Sequence, residues 1–209
     1  MRAINTVVER DIQEIISDSQ IFDAFRGKLI LVTGATGLIG SMVARSLIAA
    51  NDAYHLSLRV ICHVRNIEKA HHMFSDIVDS DILTFVDTPL ESLDIACDYI
   101  MHGAAPTKSK YFVEHPVDTI RTSIHGTERM LELGKEQKIK GMVYLSSMEQ
   151  YGVPYESGQV MTEDRIGYLD HLNVRSSYSE SKRLCECYCK SYAVEFGVPV
   201  KIARLAQTF

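Results

Sequence analysis

Lys28-Leu29-Ile30-Leu31-Val32-Thr33-Gly34-Ala35-Thr36-Gly37-Leu38-Ile39-Gly40 is a short apolar run that breaks abruptly into glycines. A continuous apolar run of this length is the pattern of a strand covered on both faces, the kind found in parallel sheets. Glycines directly after such a strand, at the opening of a helix, are the context a dinucleotide-binding turn requires. Gly34 permits the tight turn, Gly37 lets backbone approach a pyrophosphate, and Gly40 allows the helix to pack closely on the strand. The N–H groups of the helix N-terminus stabilise phosphate charge, which gives Thr36, Leu38 and Ile39 a place in the same loop. The spacing is G-x-x-G-x-x-G, one residue longer than G-x-G-x-x-G. A glycine-rich turn without a ligand is the alternative reading.

Beyond this turn, apolar runs alternate with longer helical patterns. Strands are expected at Val60 to Val64, Ile82 to Val86, Tyr99 to His102, Met142 to Leu145 and Val198 to Ala203. Helices are expected near Leu38 to Ala50, Ile67 to Val78, Val117 to Gln137 and Tyr178 to Phe196. Strands that alternate with helices of this length imply right-handed crossovers and an α/β, doubly wound parallel sheet of six strands in Rossmann order. Ahead of it, Ile4, Val7, Val8, Ile12, Ile15 and Ile16 recur at helical spacing among Glu9, Arg10, Asp11 and Glu14. They predict an amphipathic helix packed on the outside of the domain. The expected organisation is an N-terminal helical segment over residues 1–26 and a dinucleotide-binding Rossmann domain over residues 27–209.

The chain has 209 residues, 46% hydrophobic and 23% charged, with a formal charge of −5. That excludes disorder and coiled coil, and with no basic run it argues against a nucleic-acid or anionic-membrane surface. Small molecules are the expected partners. No stretch approaches the roughly 18 apolar residues of a membrane helix. Cys62, Cys97, Cys185, Cys187 and Cys189 are odd in number, and Met1 to Glu14 holds no apolar signal core. Both features point to a cytoplasmic protein with reduced thiols. Cys185, Cys187 and Cys189 lack metal-ligand spacing, so no metal is expected.

Two further motifs bear on chemistry. In Tyr178-Ser179-Glu180-Ser181-Lys182 the i,i+4 spacing stacks a phenol and an ammonium on one helix face. A cation near a phenol favours the phenolate and lowers its pKa towards the range of a general base. In Tyr144-Leu145-Ser146-Ser147-Met148-Glu149-Gln150-Tyr151-Gly152, hydroxyls follow an apolar strand, at the end of the sheet where open α/β folds bind ligands. Ser147 is placed to hydrogen-bond a substrate oxygen whose proton Tyr178 takes, with the Glu149 carboxylate nearby.

With these motifs together, Lys28 to Phe209 resembles the extended short-chain dehydrogenases/reductases, the nucleotide-sugar epimerase, dehydratase and decarboxylase group. Further anchors are His102-Gly103-Ala104-Ala105, His125-Gly126-Thr127 and Ala203-Arg204-Leu205. Ala104 to Tyr111 leading to Pro116, and Gly167 to Asp170 leading to Arg175-Ser176-Ser177-Tyr178, look most like UDP-glucuronate decarboxylases. The resemblance implies transient oxidation at the sugar C4 by a bound nicotinamide. Tyr178 then takes the proton, Lys182 lowers its pKa and holds the ribose, and Ser147 orients the oxygen. Ala104 and Ala105 are implied at the cofactor, and Met148, Glu149, Arg175 and Gln207 at the substrate, which would be a nucleotide sugar linked to UDP.

The departures are informative. The 4,6-dehydratases of the group pair a Glu with a preceding Asp, where this chain has Met148-Glu149, so the acid of that reaction is missing. The carboxylate that usually ends the second strand and binds the ribose is replaced at Val64, followed by Arg65-Asn66. An Arg there suits a 2′-phosphate, so the residue chemistry favours NADP while the resemblance favours NAD. Ser123 and Gln207 replace two Asn residues, and Asp87-Thr88-Pro89 lies near the displaced acid of the third strand. Extended members continue into a C-terminal part that closes over the sugar, so most of that part is expected to lie outside this sequence. A decarboxylase or 4-epimerase, an NADP-dependent carbonyl reductase and a non-catalytic dinucleotide-binding module all remain open. The resemblance also implies a homodimer in which helices 117–137 and 178–196, with their outward apolar and Cys residues, form a four-helix bundle.

Overall fold

The computed structural model describes residues 6–77, 81–156, 158 and 160–208. Its strands are β1 (Leu29–Thr33), β2 (Arg59–His63), β3 (Leu83–Val86), β4 (Tyr99–His102), β5 (Gly141–Ser147) and β6 (Val200–Leu205). They form one sheet in the order β3-β2-β1-β4-β5-β6, with every pairing parallel. This is the expected Rossmann order. The helices are α1 (Thr6–Ile15), α2 (Leu38–Tyr54), α3 (Ile67–Met73), α4 (Ser109–Glu114), α5 (Pro116–Gln137) and α6 (Ser177–Glu195).

The apolar run of β1 is explained by what covers it. Ile30 and Val32 face one core layer with Ala44, Leu47 and Ile48 of α2, while Leu31 faces the other with Met130, Leu131 and Leu133 of α5. A strand at the middle of the sheet therefore has no polar face to show. α5 starts at Pro116, whose fixed φ suits a first helical position, and α5 and α6 pack side by side.

Several expectations need correction. α3 ends at Met73, where residues to Val78 were expected, and Val78 itself lies outside the described residues, as do Ile4 and Phe209. In α1, Ile12 is buried and Ile15 is exposed, with Ile16 buried just beyond, so the apolar stripe is narrower than its spacing suggests. The following 3-10 turn, Ser19–Phe25, adds Phe22 to the same layer, and the Tyr54 hydroxyl donates to the Ile16 carbonyl. Cys185 and Cys189 are not outward: both are fully buried between α6 and the sheet, and only Cys187 is exposed. Residues one turn apart share a face, and here that face is the core. No described helix is long and apolar enough to cross a membrane.

Candidate functional site

All six strands run the same way, so their C-terminal ends share one edge, and the loops leaving β1, β4, β5 and β6 line a cleft of about 410 Å³ there. Gly34 has φ 71°, and a Cβ on it would come within 2.9 Å of the Gly103 carbonyl. At Gly40 a Cβ would meet the Gly34 oxygen at 2.3 Å. Glycine is thus required at both positions, one to turn the chain and one to let α2 approach β1. Gly37 caps α2 without a side-chain bond, leaving the N–H groups of the first turn open to the cleft that Gly34, Gly37, Leu38, Ile39 and Gly40 line. A backbone cradle at a helix N-terminus, too tight for any side chain, fits the pyrophosphate of a dinucleotide.

Across the cleft stand Ser147 at the end of β5 and Tyr178 and Lys182 on α6, with Leu145, Ala105 and Thr107. The Lys182 ammonium is buried, donates to the Leu145 carbonyl at 2.7 Å and lies 4.8 Å from the Tyr144 ring centre. Burial pushes its pKa down to about 8. The Tyr178 ring stacks on Phe112 with 4.3 Å between centroids and 3° between planes. Burial raises the phenol above its ordinary value, the Ser147 hydroxyl acts against that, and the nearby charges of Glu149 and Arg175 raise and lower it in turn. The expected depression of the phenol by Lys182 is absent. The ammonium sits 5.7 Å from the ring centre and is itself committed to Leu145, so desolvation dominates.

Glu149 is gripped from two sides: Arg175 reaches it at 2.9 Å and the Ser179 hydroxyl donates at 3.2 Å. Its backbone N–H donates to Ser147 Oγ, which starts the 3-10 turn Met148–Tyr151. Arg175 also lies 5.0 Å from the Phe112 ring centre, so Phe112 touches the groups that flank both the phenol and the carboxylate. Neither Phe112 nor Ser179 was expected. Phe112 belongs to α4, six residues too short to register as a helical period, whereas Ser179 sits within the Tyr178 to Lys182 motif.

Other expected residues stand apart. Met148 is exposed and does not line the cleft, and neither does Gln207, although its neighbours Ala206 and Thr208 do. Thr36 and Ala104 do not line the cleft either, and the Ala104 N–H is bonded to Thr33 Oγ1. Asn66 is the N-cap of α3, accepting from the Lys69 N–H at 2.7 Å. Arg65 is exposed just past the end of β2 and does not line the cleft, though it is close enough to Tyr111 for its charge to act on that phenol. No carboxylate ends β2: its last residue, His63, is buried and bonded to the Thr88 carbonyl. Ser123 is inside α5 with its hydroxyl on the Thr119 carbonyl.

Two arginines hold the loop that carries Glu149. Arg183 donates to the carbonyls of Gln150, Tyr151 and Gly167, tying the turn to the bridge Val153↔Tyr168. Arg204 makes a two-pronged pair with buried Glu186, at 2.7 Å and 3.1 Å, and Glu186 also accepts from Ser146 at 2.5 Å.

The model of the NAD dependent epimerase/dehydratase family matches residues 30–209. The chain belongs to that family. Among curated family relatives, UDP-glucuronic acid decarboxylase 1 of Danio rerio is 30% identical over 87% of this chain and 42% of its own length. UDP-glucuronic acid decarboxylase 6 of Arabidopsis thaliana is 31% identical over 86% of this chain and 50% of its own length. The chain therefore spans about half the length of these relatives. A solved family structure, UDP-glucuronic acid 4-epimerase from Bacillus cereus in complex with NAD, superposes with TM-score 0.67 at 25% identity, covering 86% of this chain and 56% of that one. The epimerase Mth375 from Methanothermobacter thermautotrophicus gives TM-score 0.72 at 23% identity over 92% of this chain and 55% of that one, a likeness of fold.

Proposed function

We propose that this chain is the dinucleotide-binding and proton-transferring part of a nucleotide-sugar enzyme that acts on a UDP-linked sugar through transient oxidation at C4. UDP-glucuronate decarboxylation is the leading reaction and C4 epimerisation the second. The observation that carries this is one cleft holding the glycine cradle, Ser147, Tyr178 and Lys182 together. A nicotinamide bound there supplies a reversible two-electron oxidant. The cradle of Gly34, Gly37 and Gly40 would hold its pyrophosphate, and Lys182 the adjoining ribose.

The chain's own residues manage the proton. Ser147 donates to the sugar O4, and Tyr178, having first given its own proton to solvent, receives the O4 proton on Oη as the phenolate and later returns it. Lys182, a buried cation 5.7 Å from that ring centre, attracts the phenolate too weakly to outweigh burial in the unliganded site. Once C4 is a ketone, a carboxylate on C5 is beta to it and can leave as carbon dioxide. Glu149, fixed by Arg175 and Ser179, is poised as the base or positioning group near C5. With Met148 exposed and without a proton to give, dehydration has no acid, which leaves decarboxylation or epimerisation.

The solved family structure in complex with NAD favours NAD, whereas the exposed Arg65 and the absence of a carboxylate at the end of β2 favour NADP. A carbonyl reductase that consumes NADPH is the alternative outside this chemistry, supported by the same two features. The deciding experiment incubates UDP-glucuronate with the full-length protein, NAD and NADP in parallel, and reads the product mass. Loss of carbon dioxide establishes decarboxylation, and an unchanged mass with shifted chromatographic mobility establishes epimerisation. Net loss of NADPH with a carbonyl substrate supports the reductase, and dinucleotide binding without any turnover supports a binding module. A homodimer through α5 and α6 belongs to the same proposal, supported by exposed Val117, Ile120 and Leu184 on those helices. A monomeric mass in sedimentation equilibrium would refute it.

A further inference from the structure

Behind the cleft runs a buried polar chain that the proton-transfer chemistry does not use. His102, the last residue of β4, is 1% exposed. Its Nδ1 lies 2.7 Å from Thr33 Oγ1 and its Nε2 lies 3.2 Å from Thr127 Oγ1. Thr33 Oγ1 also receives the Ala104 N–H at 3.2 Å and shares the Gly103 N–H, at 3.2 Å, with its own carbonyl. Thr127 Oγ1 gives its proton to the Ser123 carbonyl at 2.7 Å.

Counting protons and lone pairs gives these bonds a direction. A threonine hydroxyl has one proton and two lone pairs. Two N–H groups approach the lone pairs of Thr33, so its proton is left for His102 Nδ1, which must then be bare. A neutral imidazole carries one proton, so Nε2 holds it and donates to Thr127, whose own proton is already on Ser123. The opposite tautomer would aim three donors at Thr33 Oγ1 and strand its hydroxyl proton. Burial, with the Lys182 ammonium on a neighbouring element, lowers the pKa of the ring to about 3, which keeps it neutral.

We propose that His102, held as the Nε2–H tautomer, is a positioning residue for the cofactor. By taking the Thr33 proton it turns the Thr33 lone pairs to Gly103 and Ala104, and so clamps that turn against Gly34, where no side chain fits. Glycine cradle and β4 turn are then one rigid floor for the dinucleotide. The proposal rests on the cleft binding a dinucleotide, but its first test does not.

A long-range proton–nitrogen spectrum of protein labelled with 15N-histidine reads the tautomer directly, the His102 signals being those lost in His102→Asn. If Asn is not tolerated, His102 is assigned as the ring coupled to the Thr127 hydroxyl. A bare Nδ1 and a protonated Nε2 at pH 7 are expected, and a protonated Nδ1 overturns the proposal whether or not any cofactor binds. The second test measures NAD and NADP dissociation constants. Thr33→Val, the same shape without the hydroxyl, should weaken the preferred dinucleotide by about tenfold or more, whereas Thr33→Ser stays within about twofold. Parent-like affinity in folded Thr33→Val overturns the positioning role. If the parent protein binds neither dinucleotide, the cofactor assignment fails, and the spectrum still decides the tautomer.

Discussion

At the residue scale the deciding side chain is Tyr178. Because its phenol is raised by burial, its proton is held at neutral pH. Replacing Tyr178 by Phe keeps the stack on Phe112 and removes only the hydroxyl. Turnover of the full-length protein should fall by ~10²–10⁴ with the dinucleotide dissociation constant nearly unchanged. Lost binding with unchanged turnover would contradict the role given to Tyr178. The Tyr178, Lys182 and Ser147 constellation was legible in the sequence because helical spacing and strand ends are local patterns. The grip of Arg175 and Ser179 on Glu149 was not, since it joins groups 26 and 30 residues apart. Nor was the commitment of Lys182 to a backbone carbonyl, which no side-chain pattern announces.

At the scale of elements, β1 with α2, and α6 with β6, set the site. Gly40→Ala places a methyl on the Gly34 oxygen and should cost roughly 1–3 kcal/mol of stability, read as a lower urea midpoint, together with loss of dinucleotide affinity. Unchanged affinity would show that α2 can shift away without opening the cradle. Arg204→Met leaves Glu186 buried without its partner and should destabilise the protein by roughly 3–5 kcal/mol, with a smaller loss for Arg204→Lys. Equal stability of Arg204→Met and the parent would mean that Ser146 alone satisfies the carboxylate. Element type and order could be read from the alternating apolar runs, because a doubly covered parallel sheet makes every strand apolar. Boundaries were harder: β5 extends to Ser147 and β6 begins at Val200, since hydrogen bonding between strands, and not hydropathy, ends them.

For the whole molecule, two histidines couple fold to pH. His63 and His102 both have lowered pKa values, burial being the main cause. A ring neutral in the folded protein and charged in the unfolded chain means that the unfolded state binds more protons, so stability falls as pH drops. The window opens near the ordinary histidine value of 6.5 and extends towards about 3 for His102. The urea midpoint should therefore be lower at pH 5 than at pH 7, before the salt-bridged Asp76 begins to protonate, and a flat midpoint over that interval would contradict the neutral rings. The inward turn of Cys185 and Cys189 also belongs to this scale: spacing said that they share a face, and only the packing of α6 on the sheet says which.

The tightness of the glycine cradle also governs where this protein can be altered. Gly34 and Gly40 have backbone where a side chain would go, so a library varied across the turn would yield mostly misfolded clones. Arg65, exposed just past the end of β2, carries no such burden. A selection for changed coenzyme preference would accordingly gather its survivors at residue 65 and leave residues 34 and 40 unchanged in every one.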